Sequence, residues 1–298
     1  MPSRLVECVP NFSEGRRRDV IEAVVAAVRA VPGVTVLNVQ SDESHNRTVL
    51  TFAGDADPVA GAVIALVEKA AALIDMNQHR GEHPRLGAVD VVPFVPIGQT
   101  TMEECVALAR RVADQVWTQL HVPVFFYAEA ATSPRRVRLP DIRKGEYEGL
   151  AEKMRQPDWA PDVGEPRPHS TAGAVVIGAR RPLIAYNINL HTTDIGVARA
   201  VAKAVRESSG GLTGVQAMGV TAATGQAQVT INALDHARTP LHRIFDLVRI
   251  EAERFGIAVA ESEVVGLIPL DALLDVARAY LRLRGFEREQ VLEVQLME

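Results

Sequence analysis

Cysteine is nearly absent: the 298-residue chain has two, Cys8 and Cys105. Two thiols cannot staple a disulfide scaffold, and their spacing fits no metal motif, so both read as reduced core residues. Aromatic residues are scarce at 5 %, and cations do not dominate, since 32 Lys and Arg stand against 37 Asp and Glu for a net charge of −5. That balance excludes a global affinity for nucleic acid, and an anionic ligand would need a local basic pocket. No window approaches the roughly 18 uninterrupted apolar residues of a membrane span. The opening MPSRLVECVP lacks the apolar run of a signal peptide, so a cytoplasmic protein is expected. Neither G-x-G-x-x-G after a strand nor G-x-x-x-x-G-K occurs, which argues against nucleotide phosphates.

What is present is ordinary for a globular chain: 47 % hydrophobic and 23 % charged residues. Strands are predicted at 4–9, 34–39, 47–53 and 89–95, and amphipathic helices at 17–30 and 58–74. Ser13 is the expected cap of the first helix. The order βαββαβ is the split βαβ, ferredoxin-like unit. A helix at 102–120 and a strand at 122–126 follow. Residues 129–173 then read as a long irregular segment, rich in proline, with one short helix near 147–154. After a strand at 174–178 the pattern returns, with strands at 183–190, 215–220, 226–233 and 257–265 and helices at 194–208 and 240–255. A last helix covers 270–284. The fold class is therefore α+β, two ferredoxin-like subdomains with antiparallel or mixed sheets, divided as 1–180 and 181–298.

The densest chemistry is HRGEHPRLGAVDVVPFVP, His79 to Pro96. Polar groups crowded before a buried strand usually form a site, because the scaffold holds the loop still. H-x-x-E-H at His79, Glu82 and His83 spells a helical zinc motif, but Gly81 inside it and Pro84 after it break helical geometry. In a loop, a neutral His83 can take a proton from an attacking amine and return it; the alternative is a histidine pinned to backbone. Arg80 and Arg85 can hold carboxylates in a bidentate fork or stand solvated. Asp90 faces the site or forms a structural ion pair. The turn SDESHNRT brings Asp42, His45, Asn46 and Arg47 together, and Asn46 and Arg47 gain weight because the turn joins a strand there. The loop Gly164, Glu165, Pro166, Arg167, Pro168, His169, Ser170, Thr171, Ala172, Gly173 can wrap a flat ligand or serve as a linker. Asn187 and Asn189, two apart on a strand, share a face and can bind polar ligand edges or form a cross-strand ladder.

Taken together, several runs carry a resemblance spread over nearly the whole chain: LVECVPNFSEG at Leu5, NRTV at Asn46, LIDM at Leu73, GEHPRLGAVDV at Gly81, VPVF at Val122, GEYE at Gly145, DWAPD at Asp158, LIAYNINL at Leu183 and VGLIPL at Val265. The chain resembles the formiminotransferase domain family, whose animal members are fused to a cyclodeaminase. No such part follows here, so that second reaction is not expected. The resemblance implies two ferredoxin-like subdomains, a folate-binding cleft and a homodimer. It implies a one-carbon (formimidoyl) transferase that moves a formimino group between N5 of tetrahydrofolate and the amino group of L-glutamate in histidine degradation, without a metal. It puts the catalytic histidine at His83 and folate contacts at Gly164 to Gly173. Animal members carry an acid in the strand before the turn where this chain has Gln40, so Asp42 or another group would have to orient His83. Other readings of the same site are a formyltransferase acting on formylglutamate or 5-formyltetrahydrofolate, and a folate-binding protein without turnover.

Overall fold

A computed structural model describes residues 4–297. The chain divides into two compact units, the first ending at Arg180 and the second beginning at Arg181.

In the first unit, strand β1 (Arg4–Cys8) is interrupted at Val9-Pro10 and resumes as β2 (Asn11–Phe12). Proline has no N–H to give a ladder, and the chain bends there. Both pieces lie between β4 (Arg47–Gly54) and β5 (Val89–Gly98). Helix α1 (Arg18–Arg29) buries Val20, Ile21, Val24, Val25 and Val28, the spacing of one helical face. Ser13 does not cap it. Its hydroxyl donates to the Gly87 carbonyl at 2.7 Å, while the buried Glu14 carboxylate accepts from the N–H groups of Arg16 and Arg17, both at 2.9 Å. A carboxylate satisfies those free N–H groups better than a hydroxyl, being charged toward the positive helix end. Strand β3 (Val34–Asp42) pairs with β4 as an antiparallel hairpin, with Asp42 opposite Arg47. Helix α2 (Ala56–Leu73) leads through a loop to β5.

The strand order β3-β4-β1/β2-β5 is that of the ferredoxin-like unit, and the sheet is mixed because it continues. Helix α3 (Met102–Leu120), closed at its start by a Thr101–Glu104 capping box, leads to β6 (Val124–Ala128). Strand β7 (Val175–Ala179) inserts parallel between β5 and β6. Parallel strands need cover on both faces. One face packs on α1, α2 and α3.

The other face is covered by the segment that reads as irregular. It folds as α4 (Leu139–Arg143) and α5 (Glu146–Met154) with short 3₁₀ turns at Pro134–Arg136 and Pro157–Trp159. Ile142, Leu150 and Met154 sit at 0–1 % exposure against Leu86, Val91, Phe125, Tyr127 and Val176. Full burial of each such side chain is worth about 1.5–3 kcal/mol, so the segment is a structural layer and holds residues still beside the loop before β5.

The second unit carries β8 (Ile184–Leu190), α6 (Ile195–Val205), β9 (Val215–Thr221), β10 (Ala227–Ala233), α7 (Leu241–Glu253), β11 (Val259–Val265), α8 (Leu270–Leu281) and α9 (Leu292–Met297). Its antiparallel sheet runs β11-β8-β10-β9, the ferredoxin-like order again, with α6 and α7 packed on one face. Among the described residues no helix is long and apolar enough to cross a membrane.

Candidate active site

The first unit assembles its polar centre from three pieces: the β3–β4 turn, the loop between α2 and β5, and the α4–α5 segment. Asn46 stitches the first two. It adopts φ 48°, the left-handed region in which Asn is tolerated. Its Oδ1 accepts from Gly15 N at 2.9 Å and its Nδ2 donates to the Arg80 carbonyl at 2.9 Å. Its own carbonyl lies 3.0 Å from His79 Nε2.

The two histidines of the loop have different surroundings. His79 is 7 % exposed and bonded through both nitrogens: Nε2 donates to Asn46 O, and Nδ1 accepts from Arg85 Nε at 3.2 Å. Burial pulls its pKa down and the Arg85 charge adds to this, although the Asn46 carbonyl opposes it. It is a neutral strut. His83 is half-buried and, among the described residues, makes no hydrogen bond. Its ring stands edge-to-face with His45, centroids 6.2 Å apart. Burial first, then the charges of Arg47, Arg143, His45 and Arg85, hold its pKa down to about 2. His83 is therefore neutral and has an unclaimed lone pair.

Asp42 is engaged with His45. Its Oδ1 accepts from the Ser44 hydroxyl at 2.7 Å and from His45 N at 2.8 Å, and its Oδ2 lies 2.9 Å from His45 Nδ1. Partial burial alone would raise the Asp42 pKa, but these bonds outweigh it and lower it. Gln40 is exposed on β3. The group that meets His83 is thus His45, held by Asp42.

Arg85, 4 % exposed, spends its donors inside the protein. Nη1 reaches Glu146 at 2.7 Å and Glu148 at 2.9 Å, Nη2 reaches Glu148 at 2.6 Å, and Nη2 also faces the His79 carbonyl at 3.4 Å. The fork ties α5 to the loop. Arg85→Ala should destabilise the unit by about 1–3 kcal/mol, chiefly by leaving His79 Nδ1 buried without its donor. The two carboxylates, 44 % and 58 % exposed, rehydrate when freed and add little. Urea unfolding measures this, and an unchanged midpoint would show that the loop is held without Arg85.

Asp90, on β5 and buried, accepts from Leu86 N at 2.9 Å and pairs with Arg143 at the end of α4. It fixes the return of the loop into β5. Arg47 has no hydrogen-bonding or ion-pair partner among the described residues, and the Nε atoms of Arg47 and Arg143 are both buried and unpaired. Burial first and the nearby Arg143 second lower the Arg47 pKa, with Asp42 and Asp90 opposing.

The loop at 164–173 divides in two. Gly164, Glu165, Pro166 and Arg167 are exposed, and Arg167 pairs with Glu165 at 2.7 Å. Pro168 to Gly173 is docked. His169 N donates to Gly173 O at 2.8 Å, and His169 Nδ1 accepts from Ala172 N at 3.0 Å. Met76 N donates to Thr171 O at 2.8 Å, Ala88 N to Ala172 O at 2.9 Å, and Asn77 Nδ2 to Ser170 O at 2.9 Å. A cavity of about 400 Å³ is lined by Met76, Asn77, Arg80, Tyr147, Glu148, Ala151, Pro168, His169 and Ser170. A second, of about 480 Å³, is lined by Arg80, Gly81, Arg85, Gly145, Glu146 and Glu148. They share Arg80 and Glu148, and both fall in the usual size range of ligand sites.

Asn187 and Asn189 belong to the second unit, on the sheet face away from α6 and α7. Asn187 faces Glu263 at 3.4 Å, and Asn189 bonds Glu261 at 3.1 Å and Gln228 at 2.8 Å. Among the described residues no three His, Cys, Asp or Glu side chains gather as a metal-ligand set. The residues that sequence reasoning passed over are Arg143, Glu146, Tyr147 and Glu148. The run GEYE carries three of them, but nothing local says that it packs beside a loop some 60 residues earlier.

Sequence comparison reads the same two units. The formiminotransferase domain, N-terminal subdomain, matches residues 5–180, and the formiminotransferase domain matches residues 185–296. The chain is 45 % identical over 297 residues to a protein of Streptococcus pyogenes serotype M1 named glutamate formimidoyltransferase, with 99 % of each chain covered. It is 46 % identical to a protein of the same name from Thermoplasma acidophilum, covering 97 % of this chain and 96 % of the other. A formimidoyltransferase-cyclodeaminase of Mus musculus is 45 % identical over 93 % of this chain and 52 % of its own length.

Proposed function

Because the chain belongs to the formiminotransferase family, and is thereby a one-carbon transferase, we propose that it moves a formimino group between N5 of tetrahydrofolate and the α-amino group of L-glutamate. His83 is the acid and base, and the reaction serves histidine degradation. The observation that carries this reading is the state of His83: neutral, half-buried, without an internal hydrogen bond, and set among Arg47 and Arg143. A base whose lone pair is not already spent is what an amine nucleophile needs.

In the forward direction N5 attacks the formimino carbon of the donor and a new C–N bond forms. The N5 proton passes to His83. The bond from that carbon to the glutamate nitrogen then breaks, its electron pair stays on nitrogen, and His83 returns the proton there. The net result moves one proton from folate to glutamate, so a single imidazole closes the cycle. Holding both substrates side by side removes much of the entropic barrier.

Tetrahydrofolate is a substrate here, not a resident group. The cavity lined by Met76, Asn77, Tyr147, Pro168, His169 and Ser170 combines apolar and aromatic side chains with amide and hydroxyl groups, a mixture suited to a folate ring system. Asn46 fixes the turn beside His83, and Arg85 lines the adjoining cavity. Family resemblance supports a cytoplasmic homodimer, which sedimentation would check. The decisive assay offers N-formimino-L-glutamate and N-formyl-L-glutamate side by side with tetrahydrofolate. Turnover of the formimino compound in clear excess is expected. Preference for the formyl donor would make this a formyltransferase, and tight folate binding without turnover of either would make it a binding protein.

A further inference from the structure

Two guanidinium groups in the first unit lack what buried cations normally have. Among the described residues Arg47 has no hydrogen-bond acceptor and no ion pair; its Nε is buried and unpaired, the nearby Arg143 repels it, and Asp42 and Asp90 attract it only from beyond contact. Arg143 shares a single carboxylate, Asp90, and its Nε is also buried without a partner. Asp90 is itself divided between Arg143 and the Leu86 N–H. Arg85 differs, since Glu146 and Glu148 compensate it. The charges facing His83 are Arg47 from β4, His45 from the turn, Arg143 from α4 and Arg85 from its own loop. Of these, Arg47 is the guanidinium with no carboxylate in direct contact among the described residues. Two like charges held close with open N–H groups describe a site for one anion between them, and a planar fork of donors matches a carboxylate.

We propose that Arg47 and Arg143 form a carboxylate subsite beside His83, filled by the carboxylate of the amino-acid substrate, and that filling it strengthens His83 as a base. This rests on the formimidoyl-transfer reading given above. Burial and the guanidinium charges hold His83 well below neutrality, where it is a weak proton acceptor, whereas an efficient base titrates near the working pH. A carboxylate on the two guanidinium groups offsets the part of the depression that their charges cause, burial causing the larger part. An opposite charge at about 4–6 Å typically moves a pKa by about 1–3 units. Part of the base strength of His83 then arrives with the substrate.

The test uses the full chain labelled with ¹⁵N-histidine, with His83 assigned by comparison with His83→Asn. Its ring is followed by NMR as pH falls, with no addition, with L-glutamate, and with p-aminobenzoyl-L-glutamate, which carries the folate tail carboxylates. L-Glutamate is expected to raise the midpoint of His83 by at least about one unit, and p-aminobenzoyl-L-glutamate to leave it unchanged. Arg47→Gln, which loses no internal bond, should weaken L-glutamate by about 10–100-fold in calorimetry and abolish the glutamate-dependent shift. Arg143→Lys keeps a cation for Asp90 but not the fork, and should also weaken L-glutamate. A midpoint that ignores L-glutamate, or Arg47→Gln binding it as wild type does, overturns the proposal. A response to the folate-tail compound alone also overturns it, by giving the subsite to folate. Arg47-dependent glutamate binding in a protein that fails the transfer assay would keep the subsite and sink the reaction instead.

Discussion

His83→Ala should leave a folded protein whose turnover has fallen by about 10²–10⁴-fold, the span that a lone acid–base group supplies. The stability half of this expectation follows from what His83 lacks. It has no hydrogen bond to lose, and its main ring contact is an edge-to-face meeting with His45, a contact worth about 0.5–1.5 kcal/mol for aromatic pairs. His79→Ala is the control that separates structure from chemistry, because it removes both the bond to Asn46 O and the acceptor for Arg85 Nε. That variant should lose stability first. Steady-state kcat with N-formimino-L-glutamate and tetrahydrofolate, read beside a urea melt, distinguishes them. Wild-type turnover in folded His83→Ala would remove it from the mechanism.

How far the site could be read from sequence depends on which contacts are local. The β3–β4 hairpin, α1 and the twin βαββαβ order follow from periods of two and 3.6 residues, which short windows display. The insertion of β7 between β5 and β6 is a pairing across many residues, and no window contains it. Residues 129–173 misled for a related reason. Helix α4 is five residues long with Pro140 in its first turn, too short to show a period, and its burial is created by the sheet face beneath it. Arg143 therefore looked like any charged residue, although the fold brings it to Asp90, 53 positions earlier. That His83 lies in a loop was legible, because Gly81 and Pro84 forbid a helix around it. The partner for the missing acid was not, because Gln40 and Asp42 stand two apart on one strand, yet Asp42 turns to His45.

Gly81 carries the second large effect. It reads in sequence as a helix breaker, and in the structure it is a point of close approach. A Cβ there would lie 2.3 Å from the His45 carbonyl oxygen and 2.9 Å from Asn46 Cβ. The first of these is backbone and cannot swing aside. The seam it would open is held by Asn46 Nδ2 to Arg80 O at 2.9 Å, His79 Nε2 to Asn46 O at 3.0 Å and Glu82 N to Ser44 O at 3.3 Å. Gly81→Ala must push the turn and the loop apart by about 1 Å, and a misplacement of that size can cost about 10²-fold in rate. It moves His83 away from His45 and Arg47 without removing any side chain of the site. The expected result is a folded protein, with circular dichroism like wild type, whose kcat is down by about 100-fold. A kcat within a factor of about three of wild type would mean that the turn and the loop need not meet for catalysis, and that the geometry around His83 is looser than this seam implies.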